Sequence, residues 1–415
     1  MAMPEKLKVL IITERFYPEE FIINDLAAEW ATGNMQVDVL TQAPSYPFGK
    51  LFAGYSNKLI ARETWKGINI TRFFTVTGYR SSLFFKLLNY LSFAVVGSFF
   101  ALRLARGYDK IFVYQTGPLT LALPAVLARK RYGIPVTIWT QDLWPDMVYA
   151  YGFRQTKLLA WGLGAFVGFI YRNCDNILVS CEGFARRIAE YVPGREIKYF
   201  PNWPTVQPDG GTAPVKLPEG FNFTFAGNVG KLQNLDNVLR GFGLATQIEP
   251  RLRLNIVGDG SHLEALKELA RQESIAGIVF WGRRKSGDMP AFFRASDVMI
   301  VSLNNTPGLN LTVPAKFQAY LACHKPVFCV MNGEVRALVE KHGTGLWADP
   351  DSPEAIRDGF LKFYTLKGDG LADFACNSRR LLEAEYNREK IVNGMSAVVL
   401  NEPALKLYNQ SEAGI

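Results

Sequence analysis

Phe223-Thr224-Phe225-Ala226-Gly227-Asn228-Val229-Gly230-Lys231 is the stretch whose reading sets the architecture. A short apolar run enters a glycine-rich loop directly, and helical spacing begins near Leu235. An apolar run without alternation reads as a strand covered on both faces, the habit of parallel sheets. The same unit recurs downstream, with strands over 253–257, 278–281, 298–301 and 327–330 and helical patterns between them, for instance over 262–272. It also recurs upstream. KVLIIT over 8–13 is followed by strands over 37–41, 110–114, 136–140 and 176–180, with helices over 24–31 and 119–132. Strands alternating with helices in two blocks predict an α/β chain of two Rossmann-like, doubly wound parallel-sheet lobes. A length of 415 residues suits two such domains. The expected boundaries are 1–200 for the first lobe and 201–220 for a Pro- and Gly-rich linker. The second lobe then takes 221–390, and a C-terminal helix over 391–415 crosses back to the first.

The composition, 48% hydrophobic and 20% charged, is that of a globular protein. The net charge of +8 is unevenly placed. Between Gly49 and Gly107 lie Lys50, Lys58, Arg62, Lys66, Arg72, Arg80, Lys86, Arg103 and Arg106, against the single acid Glu63. They surround an apolar segment over 87–102, about 16 residues and short of the ~20 that a spanning helix needs. Basic plus apolar points to an anionic membrane surface, with Leu83, Phe84 and Phe85 beside Lys86 entering the headgroup boundary. No zinc-finger spacing or RNA-binding aromatic signature speaks for nucleic acid. A second apolar stretch over 158–171, broken by Gly162, Gly164 and Gly168, reads as a packed core helix or another interfacial one. Five cysteines without a Cys-x-x-Cys pair, and no secretory apolar region, fit a cytoplasmic protein peripheral to the inner face of the membrane.

In open α/β sheets ligands bind beyond the carboxyl ends of the strands, so the loops there are the informative places. Gly227 to Lys231 offers a backbone that can approach a phosphate, plus a lysine; it also reads as a plain tight turn. Gly258-Asp259-Gly260 is turn chemistry. Arg283, Arg284 and Lys285 form either a diphosphate site or a solvated surface cluster. Over 309–326, Thr312, Val313 and Pro314 lead into a helix over 315–322 carrying Lys316 and Gln318, a second anion site at the same sheet edge. All three histidines fall in the second half, where His262 opens a helix and reads as solvated. A base in the first lobe therefore has to be a carboxylate, Asp142 or Asp146; Asp142 also reads as a helix cap.

Taken in order, Phe16-Tyr17-Pro18-Glu19, Pro44-Ser45-Tyr46-Pro47 with Gly49, Gln141-Asp142-Leu143-Trp144-Pro145, Phe200-Pro201-Asn202-Trp203, Ala226 to Lys231, Gly258-Asp259-Gly260 and Pro314-x-Lys316-x-Gln318-x-Tyr320 make a pattern. It resembles family 4 of the retaining glycosyltransferases, and within it the bacterial transferases of O-antigen and capsule assembly. The resemblance implies the GT-B fold, two lobes facing across a cleft, and a nucleotide-sugar donor held by the second lobe. It implies Lys231 and Gly227 at the diphosphate, the turn after Gly282 at the base, and 311–316 at the diphosphate and sugar. It sets Gln141-Asp142 facing the donor sugar. Asn228 stands where many members have arginine, Leu311 and Ala319 where many have glutamate, and Gln141 where many have histidine. Gln318 is then expected to contact the ribose.

These readings converge on a retaining transferase moving a sugar, N-acetylated and from a UDP donor, to a lipid-linked saccharide in surface-polysaccharide synthesis. Asp142, Lys231 and Lys316 are the expected catalytic set. Gly227, Asn228, Gly258, Asp259, Arg283, Thr312, Val313 and Gln318 are the expected donor contacts. No metal or other cofactor is expected, because the lysines supply the charge a divalent ion would give. The rivals are a sugar-nucleotide epimerase of the same architecture and a catalytically silent binding subunit.

Overall fold

The apolar runs become the centres of two separate sheets. The computed structural model describes residues 6–47, 49–78, 82–150, 155–206, 213–366 and 368–401. These divide into one unit drawn from Met1–Pro201 and Glu389–Ile415 and a second drawn from Asn202–Arg388.

The first unit holds β1 (Leu7–Thr13), β2 (Met35–Gln42), β3 (Ile60–Trp65), β4 (Ile68–Phe73), β5 (Lys110–Gln115), β6 (Val136–Thr140), β7 (Asn176–Val179) and β8 (Ile197–Tyr199). Their order is β3-β4-β2-β1-β5-β6-β7-β8. Neighbours run parallel except β3 and β4, an antiparallel hairpin turned by Lys66 and Gly67, both at positive φ. Val9 to Ile12 are wholly buried at the centre, as an uninterrupted apolar strand requires. Three strands of this unit escaped the apolar-run reading. β3 alternates exposed and half-buried residues as an edge strand does, β4 alternates buried Ile68 and Ile70 with exposed Asn69 and half-buried Thr71, and β8 is only three residues long. The sheet therefore ends at β8 rather than at the strand expected over 176–180.

The second unit holds β9 (Phe221–Ala226), β10 (Leu252–Val257), β11 (Ile278–Gly282), β12 (Val298–Ser302), β13 (Val327–Val330) and β14 (Gly345–Trp347), ordered β11-β10-β9-β12-β13-β14. Every neighbouring pair is parallel. Its core is aromatic: Phe360 meets Phe223, Phe242 and Phe328 edge to face at 4.6, 5.3 and 5.0 Å.

Two helical expectations change. The apolar segment of the first unit is a 22-residue helix, Leu83–Leu104, longer than the run over 87–102. Ser82 caps it by accepting from the Phe85 N–H at 3.3 Å, so it begins a turn earlier than hydropathy alone suggested. The length argument against a membrane span therefore fails, since by length and composition this helix is sufficient. Its place in the fold supplies a different argument. It is the crossover from β4 to β5, and Phe93, Ala94, Phe100 and Ala101 are buried in the lobe. Phe73 of β4 lies 4.9 Å from Phe93. The opposite face leaves Phe84, Leu87, Leu91, Val95 and Phe99 about half exposed or more. In the Lys157–Arg172 helix, Val167, Gly168, Ile170 and Tyr171 are buried, while Leu158 and Trp161 are exposed.

The C-terminal tail is not one helix. Asp369–Glu385 belongs to the second unit, and a separate helix, Arg388–Leu400, begins three residues before the expected boundary at 391. Residues 402–415, residues 207–212 of the expected linker, and Arg80 lie outside the described residues. The last helix is tied into the first unit by Trp30, whose Nε1 donates to Ser396 Oγ at 2.9 Å. Met395 is fully buried there. Met395→Ala should therefore destabilise the protein by about 2 kcal/mol or more, read as a lowered urea midpoint.

Candidate functional site

Each sheet has a strand at which the chain stops adding neighbours on one side and crosses to the other. In the second unit β9 is followed outward by β10 and β11, and the chain then returns to β12 on its other flank. In the first unit β1 has β2 on one side and β5 on the other. Loops leaving the carboxyl ends of such neighbours diverge and open a crevice.

At the end of β9, Gly227 (φ +136) begins the glycine-rich loop. Tyr320 fixes the approach, since its hydroxyl accepts from the Ala226 N–H at 3.1 Å and lies 3.2 Å from the Ala226 carbonyl. The loop is stitched to the end of β12: Ser302 Oγ donates to the Gln233 carbonyl at 2.6 Å, and Asn304 donates to the carbonyls of Leu232 and Lys231. Lys316 enters from the first turn of the Ala315–Ala322 helix. Its ammonium lies 3.7 Å above the Phe225 ring and donates to Gln233 Oε1 at 2.6 Å. A β-carbon at Gly227 would stand 3.5 Å from Lys316 Nζ. Burial alone pushes the pKa of Lys316 down to about 7. A cation held this way is favourably placed to receive a dianion, beside the N–H groups opening its own helix.

The structure brings together only part of the expected donor set. Gly227, Gly258 and Lys316 converge, while Lys231 and Asn228 are exposed on the same loop. Asp259 serves the turn: its carboxylate accepts the Gly260 N–H at 2.7 Å and its carbonyl accepts the Val229 N–H at 3.0 Å. Arg283 follows β11, two strands from β9, so its backbone stands about 10 Å to the side of the β9 loop. Thr312 Oγ1 donates to the Gly308 carbonyl at 3.3 Å, and Val313 is buried. Gln318 departs from the ribose reading. It is 2% exposed, and in the orientation that satisfies it, its amide nitrogen donates to Pro314 O and Ala315 O of its own helix start. His262 is not solvated either, because Nε2 lies 2.8 Å from Asp236 Oδ2.

The first unit contains a cavity of about 910 Å³ at its crevice. Glu14 follows β1 and Thr116-Gly117 follow β5; Asp142 and Trp144 follow β6. Glu14 is buried against Gly117, where a β-carbon would fall 2.2 Å from Glu14 Oε1. Burial and then the neighbouring Glu14 carboxylate raise Asp142 to about 7, opposed by Lys86. Glu14 is raised too, chiefly by burial, with Arg15 opposing. Lys86 is correspondingly lowered by burial, while Glu14 and Asp142 raise it. Asp142, partly exposed, is therefore paired with the buried acid Glu14 and attended by an ammonium, and it is no helix cap, since the next helix begins at Asp146. Asp146 instead pairs with Arg187 at 3.1 Å. Glu19 organises the rim, accepting the Ser45 and Tyr46 N–H groups at 2.8 and 2.6 Å. Sequence reasoning passed over Glu14 and set Lys86 among the headgroup bases. The available signal was that Glu14-Arg15 stands directly after β1.

Residues 214–404 match the family model described as glycosyl transferases group 1, and residues 20–203 match the glycosyl transferase 4-like domain. A probable glycosyltransferase, WbjE of Pseudomonas aeruginosa, is 26% identical over 58% of this chain; the match spans only 62% of that relative's length. A putative colanic acid biosynthesis glycosyl transferase, WcaI of Escherichia coli, is 24% identical over 85% of this chain and 91% of its own. Among solved structures, HepE of Anabaena in complex with UDP shares the fold, with a TM-score of 0.67 at 15% identity over 95% of this chain and all of that one.

The raised Asp142 has a consequence for stability. A carboxyl that holds its proton more tightly when folded contributes stability while protonated, and that contribution is lost as pH climbs from the ordinary carboxyl range through about 7. Asp142→Asn should flatten this slope and leave the variant more stable than the wild type at pH 8 by about 1 kcal/mol or more. Urea titrations at pH 5.5 and 8 check it; parallel curves for the two proteins would contradict the assignment.

Proposed function

Given that this chain belongs to the glycosyl transferases of group 1, with a glycosyl transferase 4-like first lobe, we propose that it transfers an N-acetylated sugar from a UDP donor, with retention, to a lipid-linked saccharide of a surface polysaccharide. One observation carries the donor side. A half-buried lysine, Lys316, sits beside a glycine turn and a helix N-terminus at the carboxyl end of the central strand. A nucleoside diphosphate supplies the negative charge this ammonium lacks, with exposed Lys231 as a second cation. UDP is the nucleotide in the Anabaena structure of the same fold. For retention no strong base is needed: the departing diphosphate can take the acceptor proton while the lysines stabilise its growing charge. In the first lobe, Asp142 and Glu14 are suited to orient an acceptor hydroxyl.

The donor half is tested by thermal shift with UDP-, GDP- and dTDP-sugars. UDP-sugars should stabilise the wild type. Lys316→Met and Lys231→Ala should each weaken that stabilisation by roughly tenfold in affinity, the loss of one charge-assisted contact. Without ligand, Lys316→Met should lower stability by no more than about 1 kcal/mol, because it removes a cation whose charge burial already disfavours. Stabilisation by GDP-sugars alone would replace the donor assignment. Transfer itself is read by incubating labelled donor with membrane extract and counting label in the lipid phase.

The acceptor half and the location, at the cytoplasmic face of the membrane, rest on the surface of the first lobe. Two of the nine bases do not serve it. Arg72 is buried, paired with Glu63 and bonded to the carbonyls of Gln42 and Tyr17, and Lys86 turns into the cavity. Lys50, Lys58, Arg62, Lys66, Arg103 and Arg106 remain exposed, and Arg103 lies 4.2 Å over Phe99 on the open apolar face of the Leu83–Leu104 helix. Each base near an anionic headgroup adds roughly 1 kcal/mol before screening. Arg103→Ser with Arg106→Ser should weaken binding to anionic liposomes several-fold, and high salt should release the wild type. Donor stabilisation should stay unchanged. Retention on liposomes in high salt and carbonate would contradict a peripheral, electrostatic attachment.

A further inference from the structure

The cavity of the first lobe is chemically graded. Its floor is polar, with Glu14 beside Arg15 at 3.8 Å, Asp142 and Thr116, following β1, β6 and β5. Thr116 Oγ1 is buried and meets no hydrogen-bond partner among the described residues, so a hydroxyl or water is wanting there. Its other wall is hydrocarbon. Leu83 and Leu87, each 51% exposed, come from the Leu83–Leu104 helix, and Leu159 and Leu163 come from the Lys157–Arg172 helix. Lys86 belongs to both regions. It follows Leu83 by one turn and precedes Leu87 on the same helix, yet its charge is felt by Glu14 and Asp142 on the floor. Beyond the cavity the apolar wall continues along one helix face through Leu91, Val95 and Phe99.

We propose that this cavity seats an amphiphilic acceptor in three sections: the sugar on the carboxyl floor, its phosphate at Lys86, and its hydrocarbon chain leaving between the two leucine-bearing helices along the 87–99 face. The order of the wall is what commits it to this occupant. Acid, ammonium and leucine follow one another as sugar, phosphate and hydrocarbon do in a lipid-linked saccharide. A bulk phospholipid has no use for a pair of acids in the cavity floor, and a soluble saccharide has none for four leucines. The proposal rests on the transferase reading, and it adds where the lipid runs and which residues read it.

The test uses the full chain and a probe independent of the sugar: farnesyl diphosphate carrying a diazirine on its chain, with and without saturating UDP. Photolabelling followed by peptide mapping should place the label on residues 83–99 and 158–163. Leu87→Gln with Leu163→Gln, both lining the cavity, should cut labelling at least tenfold, as should Lys86→Met. UDP stabilisation should be unaffected in all of these variants. Inorganic diphosphate should compete at least tenfold more weakly than unlabelled farnesyl diphosphate. Label elsewhere, or labelling indifferent to these substitutions, overturns the proposal. So does equal competition by dihexanoyl phosphatidylglycerol, which would make this a site for bulk lipid. If UDP-sugars neither stabilise the protein nor transfer, the transferase reading fails by itself; if they do and the labelling result is negative, only this inference fails.

Discussion

Two backbone turns lie so close at the second sheet that no side chain fits between them. A β-carbon at Gly258 would fall 1.8 Å from the carbonyl oxygen of Gly227, and one at Gly260 would fall 2.3 Å from that of Val229. Gly227 and Gly258 also take φ values of +136 and +146, a region that L side chains rarely adopt. This contact lets the loop after β9 lie flat against the turn after β10, held by the Val229 N–H on the Asp259 carbonyl and the His262 N–H on the Val229 carbonyl. The rest of the donor region depends on that flatness. Tyr320 and Lys316 are four residues apart, hence on one face of their helix. The first bonds Ala226 and the second bonds Gln233, so the helix spans the loop and delivers its ammonium to it.

Both lobes carry charge that burial disfavours, with opposite sign. In the second, Lys316 is pushed toward neutrality because its companions are a ring and an amide rather than a carboxylate. In the first, Glu14 and Asp142 are pushed toward protonation chiefly by desolvation, and Asp142 further by the Glu14 carboxylate. Unsatisfied charge weakens a fold, and sites that bind charged or proton-exchanging ligands are where such weakness recurs. The anion proposed for Lys316 and the hydroxyl proposed for the acid pair would each relieve the local cost, coupling binding to stability through the same atoms.

The Leu83–Leu104 helix has two lives in one sequence. One face packs against β4 through Phe93, and a β-carbon at Gly97 would touch Phe73 Cζ at 3.0 Å. The other exposes a column of large apolar side chains. Hydropathy averages over both faces and so reports a membrane-like segment. Its connection to strands of one sheet at either end makes it a wall of the lobe, with an apolar surface left for a partner.

Much of this was legible in the residues alone. Continuous apolar runs located the central strands, since parallel strands are buried on both faces and need no alternation, and glycine after β9 marked the turn at the carboxyl end of that strand. Order and spacing of short motifs named the family. Strands without that signature, β3, β4, β8 and β14, stayed hidden, because the first two alternate and a three-residue strand has no period. What only the tertiary structure decided was which charges meet. Lys86 sits 28 residues before Tyr114 in the chain and reads as one more surface base, yet the crossover of its helix brings it to Glu14 and Asp142 at the ends of two other strands. Gln318 reads as a ligand contact and is instead folded into its own helix. Residue type and local period are properties of the chain, whereas burial, and the proton affinities that follow from it, belong to the packing of segments far apart in sequence.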